Sequence, residues 1–223
     1  MVQTLAKTEL VTFAEFVEGL PENKLYELHD GVIVEMPQPV GKHEQIKGFL
    51  AIELAFSVKR SNLPYFLPSQ AFVKILDGES AYLPDILILK RSNLINEPLW
   101  EKESTVTQGT SILIAIEVVS TNWRIDYVRK VNDYEEIGVP EYWIVDYLGL
   151  GGRRFIGSPK QPTILVHELI DGEYQVTTFR GDEQVISPTF PELNLTANQI
   201  FQVDIAILNG LRTAPPEGRA VSF

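Results

Sequence analysis

The chain has no cysteine, only three histidines (His29, His43 and His167), and no apolar run that could cross a bilayer. Without cysteine there are no disulfides and no thiolate metal sites. Three scattered histidines do not supply a multi-histidine zinc site. A membrane span needs roughly 20 consecutive apolar residues, and the stretch from Met1 to Glu9 lacks the apolar centre of a signal peptide. A cytoplasmic location with no membrane partner is the expectation. Also missing are a Walker loop, a Gly-x-Gly-x-x-Gly fingerprint and a Gly-x-Ser-x-Gly elbow. Gly149-Leu-Gly-Gly152 is rich in glycine, but it follows one strand pattern and leads into another, so it reads as a turn.

What remains is a chain of 223 residues, 44% hydrophobic and 22% charged, long enough to bury a substantial core. No linker or repeat divides it, which predicts one domain over residues 1–207. Pro215, Pro216 and Gly218 mark residues 208–223 as a poorly ordered tail. A net charge of −11 opposes non-specific binding to duplex DNA. A locally basic surface is still available from Arg124, Arg129 and Lys130, and from Arg153, Arg154 and Lys160.

Periodicity gives the elements. Thr12-x-x-Glu15 is a capping box opening a short helix with Phe13, Phe16, Val17 and Leu20 on its apolar face, ended by Pro21 and Asn23. Residues 25–28 and 32–36 flank an Asp30-Gly31 hairpin turn. A longer helix over about 41–60 carries Ile46, Phe49, Leu50, Leu54 and Val58 at helical spacing. Strands are expected at 71–76 and 83–89 about an Asp77-Gly78 turn, with a polar loop or short helix at 92–109. Ile112–Val119 reads as a strand buried on both faces. A helix over about 125–137 follows, closed by Gly138 and Pro140, and then a buried strand from Glu141 to Asp146. That strand–helix–strand order predicts a parallel pair. Residues 163–169 and 174–179 form a C-terminal hairpin about Asp171-Gly172.

Two carboxylates stand out because they sit in apolar strands. Asp85 follows Pro84 at a strand start, where it could cap a turn, pair with a nearby lysine or bind an ion. Glu117 lies in a run otherwise free of polar residues, and a buried glutamate needs a partner, either an arginine or a metal ion. Asp126 and Lys130 are four apart on the next helix, either a solvated pair or a group overhanging the strand edge. Glu27 is either the exposed side of an alternating strand or an outer ligand, with exposure favoured. His43 falls on the inward stripe of its helix, as a core residue or as a contact above the carboxylates. Tyr142, Trp143 and the loop after residue 150 could serve a homodimer, although a tryptophan in a core strand is the plainer reading.

Taken in order, Tyr26-Glu-Leu-His-Asp-Gly31, His43 opening a helix, Pro84-Asp85, Ile116-Glu-Val-Val-Ser120, Asp126-x-x-x-Lys130 and Gly138-Val-Pro-Glu-Tyr-Trp-Ile-Val-Asp146 resemble the Uma-two family of restriction-endonuclease-like proteins in the PD-(D/E)XK superfamily. The resemblance runs from about Thr12 to Phe201. It implies an α/β fold with a restriction-endonuclease-like mixed β-sheet flanked by helices. It also implies magnesium-dependent hydrolysis of DNA, with manganese as a substitute ion. Asp85 and Glu117 would be the metal carboxylates, the backbone carbonyl of Val118 a third ligand, and Lys130 the catalytic lysine, with Glu27 and His43 as secondary site residues. The superfamily's usual lysine lies two residues after the glutamate; Val119 stands there, and Lys130 is the migrated substitute. The acidic surface and that missing lysine also fit a non-catalytic binding or assembly module on the same scaffold.

Overall fold

The computed structural model describes residues 10–21, 24–76 and 78–203, so Asn23, Asp77 and the tail from Leu208 onward lie outside the described residues. Helix α1 (Phe13–Glu18) begins at the expected capping box: Thr12 Oγ1 accepts from the Glu15 amide, and the Glu15 carboxylate accepts from the Thr12 amide at 2.8 Å. Strands β1 (Tyr26–His29) and β2 (Val32–Glu35) pair about Asp30 and Gly31, both at positive φ, which matches the right-handed twist of the strands. Helix α2 (Gly41–Ser61) buries His43, Ile46, Leu50, Leu54 and Ser57 along one stripe.

Next come β3 (Tyr65–Phe66), β4 (Phe72–Lys74), β5 (Ala81–Tyr82) and β6 (Ile86–Lys90), then α3 (Trp100–Glu103), β7 (Thr105–Val106) and β8 (Ile112–Val118). Helix α4 (Lys130–Glu136) follows a wide π-turn at Ile125–Arg129 and leads to β9 (Glu141–Asp146). A one-turn helix α5 (Arg153–Ile156), the hairpin β10 (Thr163–Ile170) and β11 (Glu173–Phe179), and α6 (Ala197–Phe201) complete the order.

Among the described residues these strands form two mixed sheets rather than the single expected one. The smaller has the order β2-β1-β5-β4-β7 and the larger β11-β10-β9-β8-β6-β3. Strands β8 and β9 are parallel, as the strand–helix–strand pattern predicts. The expected strand at 83–89 starts three residues late, at Ile86. Ala81 and Tyr82 belong to the small sheet, Ile86–Lys90 to the large one, and Leu83-Pro-Asp85 crosses between them. Pro84 has no N–H to give to a ladder, which favours the break there. Two further corrections are local. The polar stretch at 92–109 holds the short strand β7, and Gly152 leads into α5 instead of directly into a strand.

The large sheet is the middle layer. One face carries Ile114, Ile116 and Val118 against α2 and α6; the other carries Ala115 and Val119 against the small sheet and α4. Side chains alternate along β8, so Glu117 points with Ala115 and Val119 into the space between the two sheets. Tyr142 and Trp143 are fully buried in β9 and serve the core, not a dimer contact. Among the described residues no helix is long and apolar enough to cross a membrane.

His167 in β10 shows how the interior constrains ionisation. Its ring lies 5.5 Å from both Tyr142 and Tyr174, and its Nδ1 lies 3.2 Å from the Tyr142 carbonyl, to which it donates. Burial pushes its pKa down from 6.5 to about 4 despite that hydrogen bond. The unfolded chain therefore binds this proton first, and stability is lost as pH falls from about 6.5 toward 4. Urea unfolding at pH 7 and pH 5 should show a loss of about 2 kcal/mol from this residue. His167→Gln should remove that part of the loss; a pH dependence equal in wild type and variant would contradict it.

A candidate active site at the junction of the two sheets

Where Leu83-Pro-Asp85 passes from one sheet to the other, carboxylates replace the missing ladder partners. The Leu83 amide donates to Glu27 Oε1 at 2.9 Å, and the Val118 amide donates to Asp85 Oδ2 at 2.8 Å. The last pair of β6 with β8 is Ile86 with Ile116, so Asp85 and Glu117 lie just beyond the end of that ladder, near enough for the Asp85 charge to act on Glu117. Fold and site thus share the same atoms.

At the centre is Lys130, fully buried at the start of α4. Its Nζ lies 2.9 Å from Glu27 Oε1, 2.9 Å from Glu117 Oε1 and 3.7 Å from Asp126 Oδ1. The preceding π-turn is a feature often found at functional sites. Glu27 also meets His29 Nε2 at 2.8 Å, and the Tyr134 hydroxyl lies 3.5 Å from Glu117. Around them Tyr82, Tyr134 and Tyr142 stack edge to face and exclude water.

One ammonium among three carboxylates leaves a surplus of negative charge. Burial and the charges of Asp126, Asp85 and Glu27 together push the Glu117 carboxyl well above its usual range, against the pull of Lys130. Asp126 is pushed up to about 7 by burial and by Glu27 and Asp85. Glu27 is the exception: burial opposes ionisation, but Lys130, His29 and the Leu83 amide together hold it down at about 2. Burial alone would discharge Lys130, yet Glu117, Glu27 and Asp126 raise its pKa instead.

Asp85 has a separate set of partners, from α2. His43 Nε2 lies 3.3 Å from Asp85 Oδ2 and 3.0 Å from the Val118 carbonyl, while Lys47 Nζ lies 3.5 Å from Asp85 Oδ1. Burial pushes the His43 pKa down, but Asp85 and Glu44 outweigh it and the net direction is up. Asp85 itself is lowered, because His43, the Val118 amide and Lys47 overcome the cost of burial.

The structure therefore brings Glu27, Glu117 and Lys130 into direct contact, and Asp85, His43 and the Val118 carbonyl into a second group joined to the first through the Val118 peptide. Glu27 is the clear correction: it is buried, not on an exposed strand face. The face of β1 that carries Glu27 packs against Lys130 of α4, which also contacts Glu117 of β8, so this alternating strand has no wet face there. Glu117 is paired with a lysine, not an arginine, and the Asp126–Lys130 pair is not solvated. Asp126, His29 and Lys47 were not among the expected site residues. Spacing could have found the last two, since His29 is two residues from Glu27 on a strand and Lys47 four from His43 on a helix.

Oxygen donors with uncompensated charge suit a hard divalent cation. The Asp85 carboxylate and the Val118 carbonyl already converge on one donor proton, that of His43, and such a pair of acceptors can converge on an ion instead. Among the described residues no three Asp, Glu, His or Cys side chains form a ready cage, so a main-chain carbonyl and water must complete any coordination.

The site is thus a set of acidic residues around one buried lysine where two mixed sheets of an α/β core meet. The chain belongs to the Uma2 family, described as "Putative restriction endonuclease", whose profile matches residues 13–198. A crystal structure of "a putative nuclease belonging to DUF820" from Anabaena variabilis ATCC 29413 shares the fold, with a TM-score of 0.64 at 20% identity over 86% of this chain and 98% of that one. No curated protein matches the chain.

Removing the central cation should be costly. Lys130→Met leaves Glu27 and Glu117 buried without their counter-charge, a change expected to destabilise by about 3–5 kcal/mol at pH 7. Denaturant midpoints of wild type and variant measure it; a shift below about 1 kcal/mol would show that Lys130 is not the charge on which the cluster depends.

Proposed function

We propose that the chain is a metal-dependent endonuclease that hydrolyses phosphodiester bonds in DNA, with magnesium as its ion and manganese as a substitute. The observation that carries this reading is the pairing of two features. The Asp85 carboxylate and the Val118 carbonyl converge on one donor, and Glu117, which feels the Asp85 charge, lies in a cluster with more carboxylates than cations. Asp85, Glu117 and the Val118 carbonyl would hold the ion. When bound, it would acidify a water and offset charge on the phosphate.

The remaining chemistry falls to the chain's own groups. Lys130 has three ammonium protons, and two are directed at Glu27 and Glu117. The third is free of a short hydrogen bond, since Asp126 is 3.7 Å away, and it can orient an attacking water or steady an anionic phosphorane. Glu27, fixed by His29 and the Leu83 amide, keeps Lys130 charged and in place. His43 holds the Asp85–Val118 junction together and, once released from it, can donate to a phosphate oxygen.

A second reading is a non-catalytic module on the same scaffold, favoured by the satisfaction of Asp85 and the Val118 carbonyl through His43 without any ion. Supercoiled and linear DNA incubated with magnesium or manganese distinguishes the two. Cleavage should appear with either ion and fall at least about 100-fold in Asp85→Asn and in Glu117→Gln. Intact DNA under all of these conditions would leave the binding module as the surviving reading.

The ion should also compete with protons. Asp126, at about 7, takes up a proton as pH falls through neutrality, Glu117 is shifted in the same direction, and a cation favours the ionised form of both. Manganese affinity should therefore weaken as pH drops from 8 to 6, with protons released on binding. Calorimetry in two buffers of different ionisation enthalpy measures this, and a pH-independent affinity would contradict it.

A further inference from the structure

We infer that Arg124, Arg154 and Lys160, held over Trp123 and Phe155 at the edge of the site, form the surface on which a DNA strand's sugar–phosphate backbone docks. The inference rests on the nuclease reading above for its choice of ligand and adds to it the surface that would deliver the strand.

Three segments meet here. Trp123 and Arg124 follow β8, Arg154 and Phe155 lie in α5 after β9, and Lys160 comes from the loop before β10. Trp123 packs edge-on against Tyr127 at 5.7 Å and against Phe155 at 6.4 Å. A Cβ on Gly151 would come within 2.7 Å of Tyr127, so only glycine lets the loop after β9 close onto this cluster. Asp146 fastens that loop, accepting from the amides of Leu150 and Gly151 and from the Tyr127 hydroxyl.

On this apolar base the cations are arranged, not loose. The Arg124 guanidinium lies 4.7 Å from the Trp123 ring centre, the Lys160 ammonium 5.9 Å from the same ring, and the Arg154 guanidinium 4.4 Å from Phe155. Such contacts hold long side chains in place and lower the entropy lost on binding. All three cations are exposed, and among the described residues none has a carboxylate partner. In a chain of net charge −11 such a cluster is the exception to the surface's sign, and phosphate is the complementary charge.

The surface is continuous with the carboxylate cluster. The loop that carries Trp123 and Arg124 also lines a cleft of about 80 Å³ through Ser120, Asn122 and Asp126, with Glu27 and Lys130 opposite. Tyr127, packed edge-on against Trp123, is the neighbour of Asp126. A strand lying over the cations is thereby led toward Lys130. Both segments leave the C-terminal ends of parallel strands, the edge where ligands bind in open α/β sheets.

The test is binding of a short fluorescein-labelled DNA, duplex and single-stranded, read by anisotropy without divalent metal so that no cleavage intervenes. Arg124→Gln/Arg154→Gln/Lys160→Gln is compared with Lys59→Gln/Arg60→Gln/Lys102→Gln, which makes the same change in net charge on α2 and α3. The first triple should lose about tenfold or more in affinity, and its slope of log affinity against log salt should fall by about 2–3, while the control stays within about twofold of wild type. Equal losses in both triples, full affinity in the first, or no binding by wild type at low salt would each overturn the inference. Loss confined to the first triple, in a wild type that cuts nothing with magnesium or manganese, would uphold this surface while rejecting hydrolysis. Normal cleavage with unchanged binding in the first triple would do the reverse.

Discussion

The arrangement depends on one buried ammonium. Lys130 holds Glu27 from the small sheet and Glu117 from the large sheet at 2.9 Å each, so a single charge joins the two layers. Burial of these groups is unfavourable unless each is paired. The cost explains why the surroundings are so closely specified: His29 and the Leu83 amide complete Glu27, Tyr134 approaches Glu117, and three tyrosines wall off the solvent. Pairs of this kind contribute little net stability against an apolar core, which makes their presence more readily explained by chemistry than by folding.

The same economy appears at the crossing between sheets. A strand that ends at Tyr82 and another that begins at Ile86 leave amides without ladder partners, and carboxylates of the site accept from two such amides. A mutation that removes either carboxylate therefore acts on the scaffold as well as on any reaction. Conservative replacements, Asn for Asp and Gln for Glu, preserve an acceptor at these positions while removing the charge, and so separate the two effects.

Much of this was legible in the sequence. The capping box at Thr12, the Asp-Gly turns at residues 30–31 and 171–172, the stripe of α2 and the buried runs of β8 and β9 each follow from local rules, and the structure has them within a residue or two. Glu117 stood out because a charge in an apolar run demands a partner, whereas Lys130 was marked only by its i,i+4 spacing from Asp126 and by the family resemblance. Sequence periodicity failed where tertiary pairing decides. Glu27 alternates with apolar neighbours like an exposed residue, and only the packing of its face of β1 against Lys130 and β8 buries it. The strand predicted at 83–89 reads as continuous because Leu83 is apolar, whereas Pro84 and the side chain of Glu27 divert it. The surplus of charge around Lys130 was likewise invisible, because Asp126 and Glu27 are 99 residues apart in the sequence (126 minus 27).

We propose that this surplus is resolved by one divalent cation shared by Asp85 and Glu117. Manganese titration followed by electron paramagnetic resonance tests it without requiring turnover or a known substrate. The wild-type chain should take up one ion per molecule, and Asp85→Asn and Glu117→Gln should each abolish that uptake while remaining folded. Equal uptake by wild type and both variants, or none by the wild type at neutral pH, would contradict the account.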